Sequence, residues 1–319
     1  MSQQITEAFV DQFRANVFHL SQQKGSRLRG SVRQEAQRGK EGFYERLGSV
    51  TATKKTSRHS DTPLIDTPHS RRRVTLDDYE HADLIDNADK IRLLIDPASP
   101  YAQAFMWALG RAIDDTIIEA ARGNAFAGQS GGTTVAHPVS QKLLSFELGG
   151  GGAITPIRMA VNTLRRAKKV LDQNDVDESI RRYCVLNAEQ IEALLSETEI
   201  TSSDFNTVKA LVMGEVNEFM GFTFIRTERI ESEDVFYDDT ATTGGAVLPA
   251  DTDATLSNAD RVLIYAMDGM LLAVGEDMVA RIDERADKSY SQQVFARMSI
   301  GATRLEEEKV VDVACKPSA

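Results

Sequence analysis

The stretch CVLNAEQIEALLSETEITSSDFNTVKALVMGEVNEFMGFTFIRTERI, residues 184–230, contains the elements of one compact subdomain in order. It opens on a short apolar strand that ends at an asparagine, and a short amphipathic helix follows. The pattern then predicts a second helix over residues 205–213 and a strand that places Phe222 and Phe224 on one face. Strands and helices of this length, in this order, are typical of an α+β subdomain.

Downstream of this stretch, four apolar segments predict further strands, and a polar surface loop over residues 237–261 precedes them. The segments are VLIYAM, LLAVG, VFARMSIGA and VVDVAC. We expect the last two to pair as a hairpin that carries a strand out of the compact body. No internal repeat of fixed period is visible.

Upstream of this stretch, apolar spacing predicts three helices. The first covers residues 4–22, and the second covers residues 99–122 and is ended by a glycine. Thr155 and Pro156 open the third, which has one apolar face and one basic face.

Four consecutive glycines, Gly149, Gly150, Gly151 and Gly152, precede the third helix. They lack the lysine and hydroxyl residue of a phosphate-binding P-loop. We interpret them as a conformational hinge, with a tight turn as the alternative. The second glycine-rich stretch, around Gly128 to Gly132, is interpreted as a turn.

Basic charge is concentrated in one segment, residues 24–73, of an otherwise acidic protein. The segment has 13 Lys or Arg against five Asp or Glu, a net of +8, whereas the whole chain carries −11 and residues 74–319 carry −18. Because apolar residues are sparse there, the segment should become ordered only against an acidic partner. Nucleic acid and a neighbouring copy's acidic body both fit, and we favour subunit contact through Arg71, Arg72 and Arg73.

No motif predicts catalysis. The five histidines are scattered without metal-ligand spacing, and the carboxylates near Asp77 and Asp238 fit solvated surfaces, so no catalytic, cofactor or metal residue is predicted. Cys184 and Cys315 are far apart, and we expect both to be buried and inert. No membrane span or secretory signal is recognised, so we expect the protein to stay in the cytoplasm.

The element order and a set of residues within the stretch 184–230 resemble the major capsid proteins of tailed bacteriophages. Those residues are Leu186, Asn187, Gly214, Phe219, Gly221, Phe222, Phe224 and Ile225. The resemblance covers the whole chain by element order, but residue-level similarity is confined to about residues 182–230 and the closing VFARMSIGATRLEEEKVVDVAC.

The resemblance implies an α+β fold shared by tailed-phage capsids, encapsulins and herpesvirus shells. Its implied parts are an N-terminal arm (1–37), an extended loop (38–80), a peripheral domain (81–181) with a long spine helix (156–173), an axial domain (182–300) and a C-terminal strand returning to the peripheral domain (301–319).

The implied function is structural and without catalysis: a major capsid protein that forms hexamers and pentamers of an icosahedral virion shell around phage double-stranded DNA. The main partner is the protein itself, DNA is enclosed without sequence-specific binding, and scaffolding, portal and decoration proteins are candidate further partners. The alternatives are an encapsulin-like compartment, an acidic-site hydrolase, and a nucleoid or scaffold protein that binds DNA through the basic segment.

Overall fold

The computed structural model describes residues 21–58, 64–85, 98–148, 154–197, 218–230, 232–236 and 255–317. Four sequence predictions lie wholly or largely outside this part of the chain: the helix over residues 4–22, the helix over residues 205–213, the glycine run Gly149–Gly152, and the polar loop over residues 237–261 with Asp238, whose last seven residues are described and form strand instead of loop. They stay predictions.

The described residues form three α-helices and seventeen strands. The helices are α1 Ala98–Arg122, α2 Val161–Gln173 and α3 Ala188–Ser196. The strands are β1 Arg33–Ala36, β2 Glu41–Leu47, β3 His69–Thr75, β4 Asp77–Ile85, β5 Ala125–Ala127, β6 Thr133–Val135, β7 Lys142–Leu144, β8 Phe146–Leu148, β9 Ile154–Pro156, β10 Arg182–Leu186, β11 Glu218–Phe219, β12 Phe222–Arg226, β13 Ser232–Phe236, β14 Thr255–Ala266, β15 Met270–Arg285, β16 Ser291–Arg304 and β17 Val310–Cys315. None of these helices is long and apolar enough to cross a membrane.

The larger of two compact units comprises residues 26–77, 112–275 and 300–319, and its core lies on a seven-stranded sheet. The strand order is β11-β12-β10-β14-β17-β7, with β13 also paired to β14. Every residue of β10 is buried, as expected for a central strand covered on both faces. Helices α2 and α3 contribute Leu164, Leu171 and Leu194 to the same apolar cluster as Phe222.

The segment EFMGFTF is a hairpin, where the sequence predicted one strand. β11 and β12 pair antiparallel through Phe219 and Phe222, and Met220 and Gly221 form the turn between them. Both turn residues have positive φ, 53° and 83°, which is the conformation of a two-residue hairpin turn and favours glycine at the second position. Phe222 is fully buried and Phe224 packs against the same cluster, so the prediction that they share a face is confirmed.

The third helix begins later than the sequence predicted, at Val161 instead of Pro156. Ile154–Pro156 is instead strand β9, which pairs antiparallel with β8. Ala160, the N-cap residue, has an extended backbone conformation immediately before the helix. Helix α2 has 13 residues, and the longest described helix, α1, has 25. Helix α1 begins one residue before its predicted start at residue 99. The helix predicted over residues 156–173 is therefore observed over residues 161–173, and its assignment as the spine helix stays a prediction.

The predicted division into five parts stays a prediction, and one core cluster extends across its boundary between residues 181 and 182. Residues on both sides of it, such as Leu171 and Cys184, belong to one core cluster.

The predicted pairing of the last two strands is wrong. β16 neighbours β15 and β4 in a four-stranded sheet of order β1-β15-β16-β4, whereas β17 lies between β14 and β7.

The smaller unit comprises residues 1–25, 78–111 and 276–299. Its described surface is strongly charged. Arg285 makes an ion pair with Asp287 at 2.6 Å, and Arg297 makes one with Glu276 at 2.9 Å. The carboxylate-rich segment near Asp77 is the exposed strand β4, as the solvated interpretation predicted.

Candidate subunit interface around Arg71–Arg73

The three arginines lie on β3, the second strand of a sheet with order β2-β3-β5-β6. β2 and β3 form an antiparallel ladder that pairs Glu45 with Arg71, Tyr44 with Arg72 and Phe43 with Arg73. Because side chains alternate between the two faces of a strand, Arg72 points one way while Arg71 and Arg73 point the other. Burial follows this period: Arg72 is buried and its two neighbours are half-buried.

Arg72 lies on the inner face of this sheet, where its side chain is only 2% exposed. Its Nη2 donates to both carboxylate oxygens of Glu307, at 2.5 Å to Oε2, and its Nε donates to the carbonyl oxygen of Leu305 at 3.4 Å. Burial lowers the pKa of the Arg72 guanidinium from its ordinary value, and the Glu307 carboxylate opposes this shift. The Arg72 side chain is therefore not accessible to a neighbouring subunit. Of the three arginines, only Arg71 and Arg73 remain candidates for the predicted subunit contact.

Arg71 and Arg73 form the outer face of the sheet together with aromatic rings. Arg71 makes an ion pair with Glu45 at 2.9 Å, and its guanidinium lies 5.8 Å from the ring centroid of Phe43. The Arg73 guanidinium lies 5.0 Å from the ring centroid of Phe126 on β5. These distances are within the range of cation–π attraction, so the rings hold both arginines against the sheet.

A glycine turn supports Arg73 from the side. Gly128 and Gly131, in the loop between β5 and β6, both have positive φ. A Cβ atom on Gly131 would lie 2.5 Å from Cδ of Arg73, so only glycine lets the loop approach this side chain. The interpretation of this stretch as a turn is confirmed.

The outer face remains open to solvent within one copy of the chain. Phe43 is 41% exposed, Phe126 39% and Leu47 69%. Arginine and aromatic residues are the types that most often carry binding energy in protein interfaces. The arrangement can therefore bind a protein surface of mixed apolar and acidic character.

Two further buried charges fix α1, Asp114 by bonding to the basic segment and Arg304 by bonding to the helix end, and no local sequence pattern predicted either. Asp114 of α1 is fully buried and accepts from the Ser26 hydroxyl and the Arg27 and Leu28 amides at 2.5 to 3.2 Å. Arg304 is also fully buried and donates to carbonyl oxygens at the end of α1, including those of Ala121 at 2.8 Å and Gly123 at 2.5 Å. A cation at these otherwise unpaired carbonyls stabilises the helix end.

The remaining predicted groups do not join this surface. Cys184 and Cys315 are buried, as expected, and both are free thiols. Burial raises the pKa of both thiols. His81 packs edge-on against Phe105, with 4.1 Å between ring centroids. Among the residues that the structure describes, no group of three or more His, Cys, Asp or Glu could hold a metal ion.

The sequence model of one family, described as phage capsid protein, matches residues 5–317. The chain belongs to this family. No curated protein sequence matches this capsid protein.

Solved phage capsids share its fold over nearly the whole chain. The capsid of cyanophage P-SCSP1u superposes with a TM-score of 0.71 at 15% identity, covering 98% of this chain and 95% of that one. The capsid of cyanophage Pam1 superposes with a TM-score of 0.67 at 13% identity, covering 98% of this chain and 97% of that one. The capsid of Ralstonia phage GP4 superposes with a TM-score of 0.67 at 11% identity, covering 98% of this chain and 96% of that one.

The resemblance read from the sequence is thereby confirmed, and so is the α+β capsid fold. The chain is a structural major capsid protein of a bacteriophage. Neither the encapsulin-like compartment nor the acidic-site hydrolase is favoured by these matches.

We expect Arg72→Ala to destabilise the capsid protein by about 3–5 kcal/mol, because it leaves the Glu307 carboxylate buried without its main partner. Arg71→Ala, the matched control on the exposed face, should cost only ~0–1 kcal/mol. Urea unfolding of the unassembled chain, followed by circular dichroism, measures both. Arg72→Met combined with Glu307→Leu should recover much of the loss, since neither charge is then buried alone. Equal urea midpoints for Arg72→Ala and Arg71→Ala would contradict this account.

Proposed function

We propose that this capsid protein assembles into hexamers and pentamers that close an icosahedral shell around phage double-stranded DNA. In this proposal it has no catalytic activity, is assembled in the host cytoplasm, and meets scaffolding, portal and decoration proteins as further partners. The observation that carries the proposal is the family match over residues 5–317, together with the exposed arginine and aromatic face. The acidic body also suits a container, because a lining rich in Lys and Arg would bind DNA phosphates and resist packaging and release.

The extended loop is proposed to lie across an adjacent subunit. Its β2–β3 ladder is closed by a hydrogen bond from the Gly48 amide to the Pro68 carbonyl oxygen at 2.9 Å. The described residues between Gly48 and Pro68 form no strand and are exposed, including Leu64 at 97%. A long solvent-exposed loop on a rigid two-stranded base is suited to reach a neighbour.

The expressed protein should form closed shells of uniform diameter, or free capsomers, in negative-stain images. Arm and loop contacts should together bury well over the ~1,600 Å² of a standard interface per copy. Light scattering gives the same answer in solution. A monodisperse monomer at micromolar concentration would refute the proposed function.

Arg71→Glu combined with Arg73→Glu should slow or abolish assembly, because it reverses the charge of the outer face while the buried Arg72 is kept. Light scattering during assembly measures the effect. Arg71→Gln combined with Arg73→Gln removes the two charges without reversing them. Its assembly defect should be milder than that of the Glu variant. Raised salt should weaken the parent's contacts if they are exposed. Particle yields equal to the parent's in the Glu variant would show that this face contacts no subunit.

Gly149–Gly152 is proposed as a hinge that lets one sequence adopt different subunit shapes during closure or expansion of the shell. Gly150→Ala combined with Gly151→Ala should then leave capsomers intact but impair closure or expansion, as seen by electron microscopy. A static turn would instead lower the yield of folded subunit. If the variant folds, closes and matures like the parent, the glycines are neither a hinge nor a required turn.

A further inference from the structure

Two helices of the larger unit carry charges of opposite sign. Residues 148–171, which include most of α2, hold five Lys or Arg and no Asp or Glu. Residues 183–208, which include α3, hold five Asp or Glu and no Lys or Arg. Helix α3 therefore has no basic residue, and the one acidic residue of α2, Asp172, is paired with Arg182 at 2.7 Å.

The basic face of α2 consists of Arg165, Lys168 and Lys169, which follow one another at helical spacing, with Arg158 just before the helix. The opposite side of α2 is fixed in the core through Leu164 and Leu171. Arg165 and Lys169 are exposed and Lys168 is half-buried. Lys168 and Lys169 form no ion pair with any carboxylate in the described part of the chain.

Arg166, the remaining basic residue of this run, is bound within the subunit. Its guanidinium lies 4.4 Å from the ring centroid of Phe146, and its Nη1 donates to the Leu144 carbonyl oxygen at 3.0 Å. Burial lowers its pKa. The contrast shows that the fold uses Arg166 for internal packing and leaves the basic face outside.

The acidic face of α3 consists of Glu189 and Glu192, one helical turn apart, and is held rigidly. Asn187 caps the helix by accepting from the Gln190 amide at 3.0 Å, and Gln190 is fully buried. The Gln190 side chain accepts from the Met159 amide at 2.7 Å and donates to Asp260 at 2.8 Å. Glu192 is exposed, and it forms no ion pair with a described residue.

Within one subunit, therefore, Lys168 and Lys169 do not neutralise Glu192, although both helices pack on one core. We propose that the basic face of α2 binds the acidic face of α3 on the next copy around the capsomer. This inference rests on the proposed function, because it requires that copies form rings. A contact between two different faces of the same protein is heterologous, and when its rotation closes it generates a ring.

A second copy fits the basic face better than DNA does. Every copy that presents the basic face also presents a complementary acidic face at the same concentration. Opposite charges across an interface steer association and fix its register more than they add affinity. A contact of this kind would select the correct neighbour during assembly.

The test exchanges the charges of the two faces. Lys168→Glu with Lys169→Glu places acidic residues opposite Glu189 and Glu192, and Glu189→Lys with Glu192→Lys places basic residues opposite the basic face. Either pair should raise the protein concentration needed for half-maximal capsomer formation by at least about tenfold, measured by light scattering. The variant with all four changes has the parent's net charge and should assemble near the parent's concentration. The two defective pairs, mixed, should also co-assemble.

Folding is checked separately through the urea midpoint of each variant, which should stay near the parent's because these side chains are outside the core. If the parent assembles but both pairs assemble equally well, or if the fourfold variant and the mixture fail to recover while folded, this inference is overturned and the proposed function stands. If the Lys168→Glu, Lys169→Glu particles close normally and hold less DNA, the basic face contacts the genome and the proposal is likewise overturned. Failure of the parent itself to assemble would overturn both.

Discussion

The buried ion pair between Arg72 and Glu307 is the interaction on which the outer surface of the protein depends. It joins β3 to the turn after β16, across 235 residues of sequence. Because the pair is nearly dry, neither charge is tolerated there without the other, so the pair permits one register of β3. A slip by one residue would bury Arg71 and Arg73 and expose Arg72. The exposed arginine and aromatic face is thus a consequence of what is buried behind it.

The charge asymmetry of the chain is resolved partly inside the subunit. Two parts of the basic segment have acidic partners within the same chain: Arg72 pairs with Glu307, and the amides of residues 27 and 28 donate to Asp114. A segment too polar to fold alone is therefore ordered at both ends by carboxylates from distant parts of the same chain. On the outer face of the segment, Arg71 lies beside Glu45 and can contact other molecules.

Local patterns predicted local structure well and distant contacts poorly. The 3.6-residue spacing placed α1 within one residue of its observed start, and the apolar run CVLN predicted the strand observed as β10. The boundary of α2 was missed because β9 is fixed by its ladder with β8, which no spacing within residues 154–160 encodes. The three arginines were recognised as a group, but their division into one buried and two half-buried side chains depends on Glu307, whose position relative to β3 is set by the whole fold.

The ladder between β2 and β3 ends at the hydrogen bond from Gly48 to Pro68, and its seven paired residues on each strand lie on the base side of that bond. The entropy lost on closing such a loop grows only logarithmically with its length, by about 0.6 kcal/mol for each doubling. Lengthening the tip would consequently leave the stability of the subunit almost unchanged. A peptide inserted at the tip of this loop would therefore be carried on an unaltered scaffold.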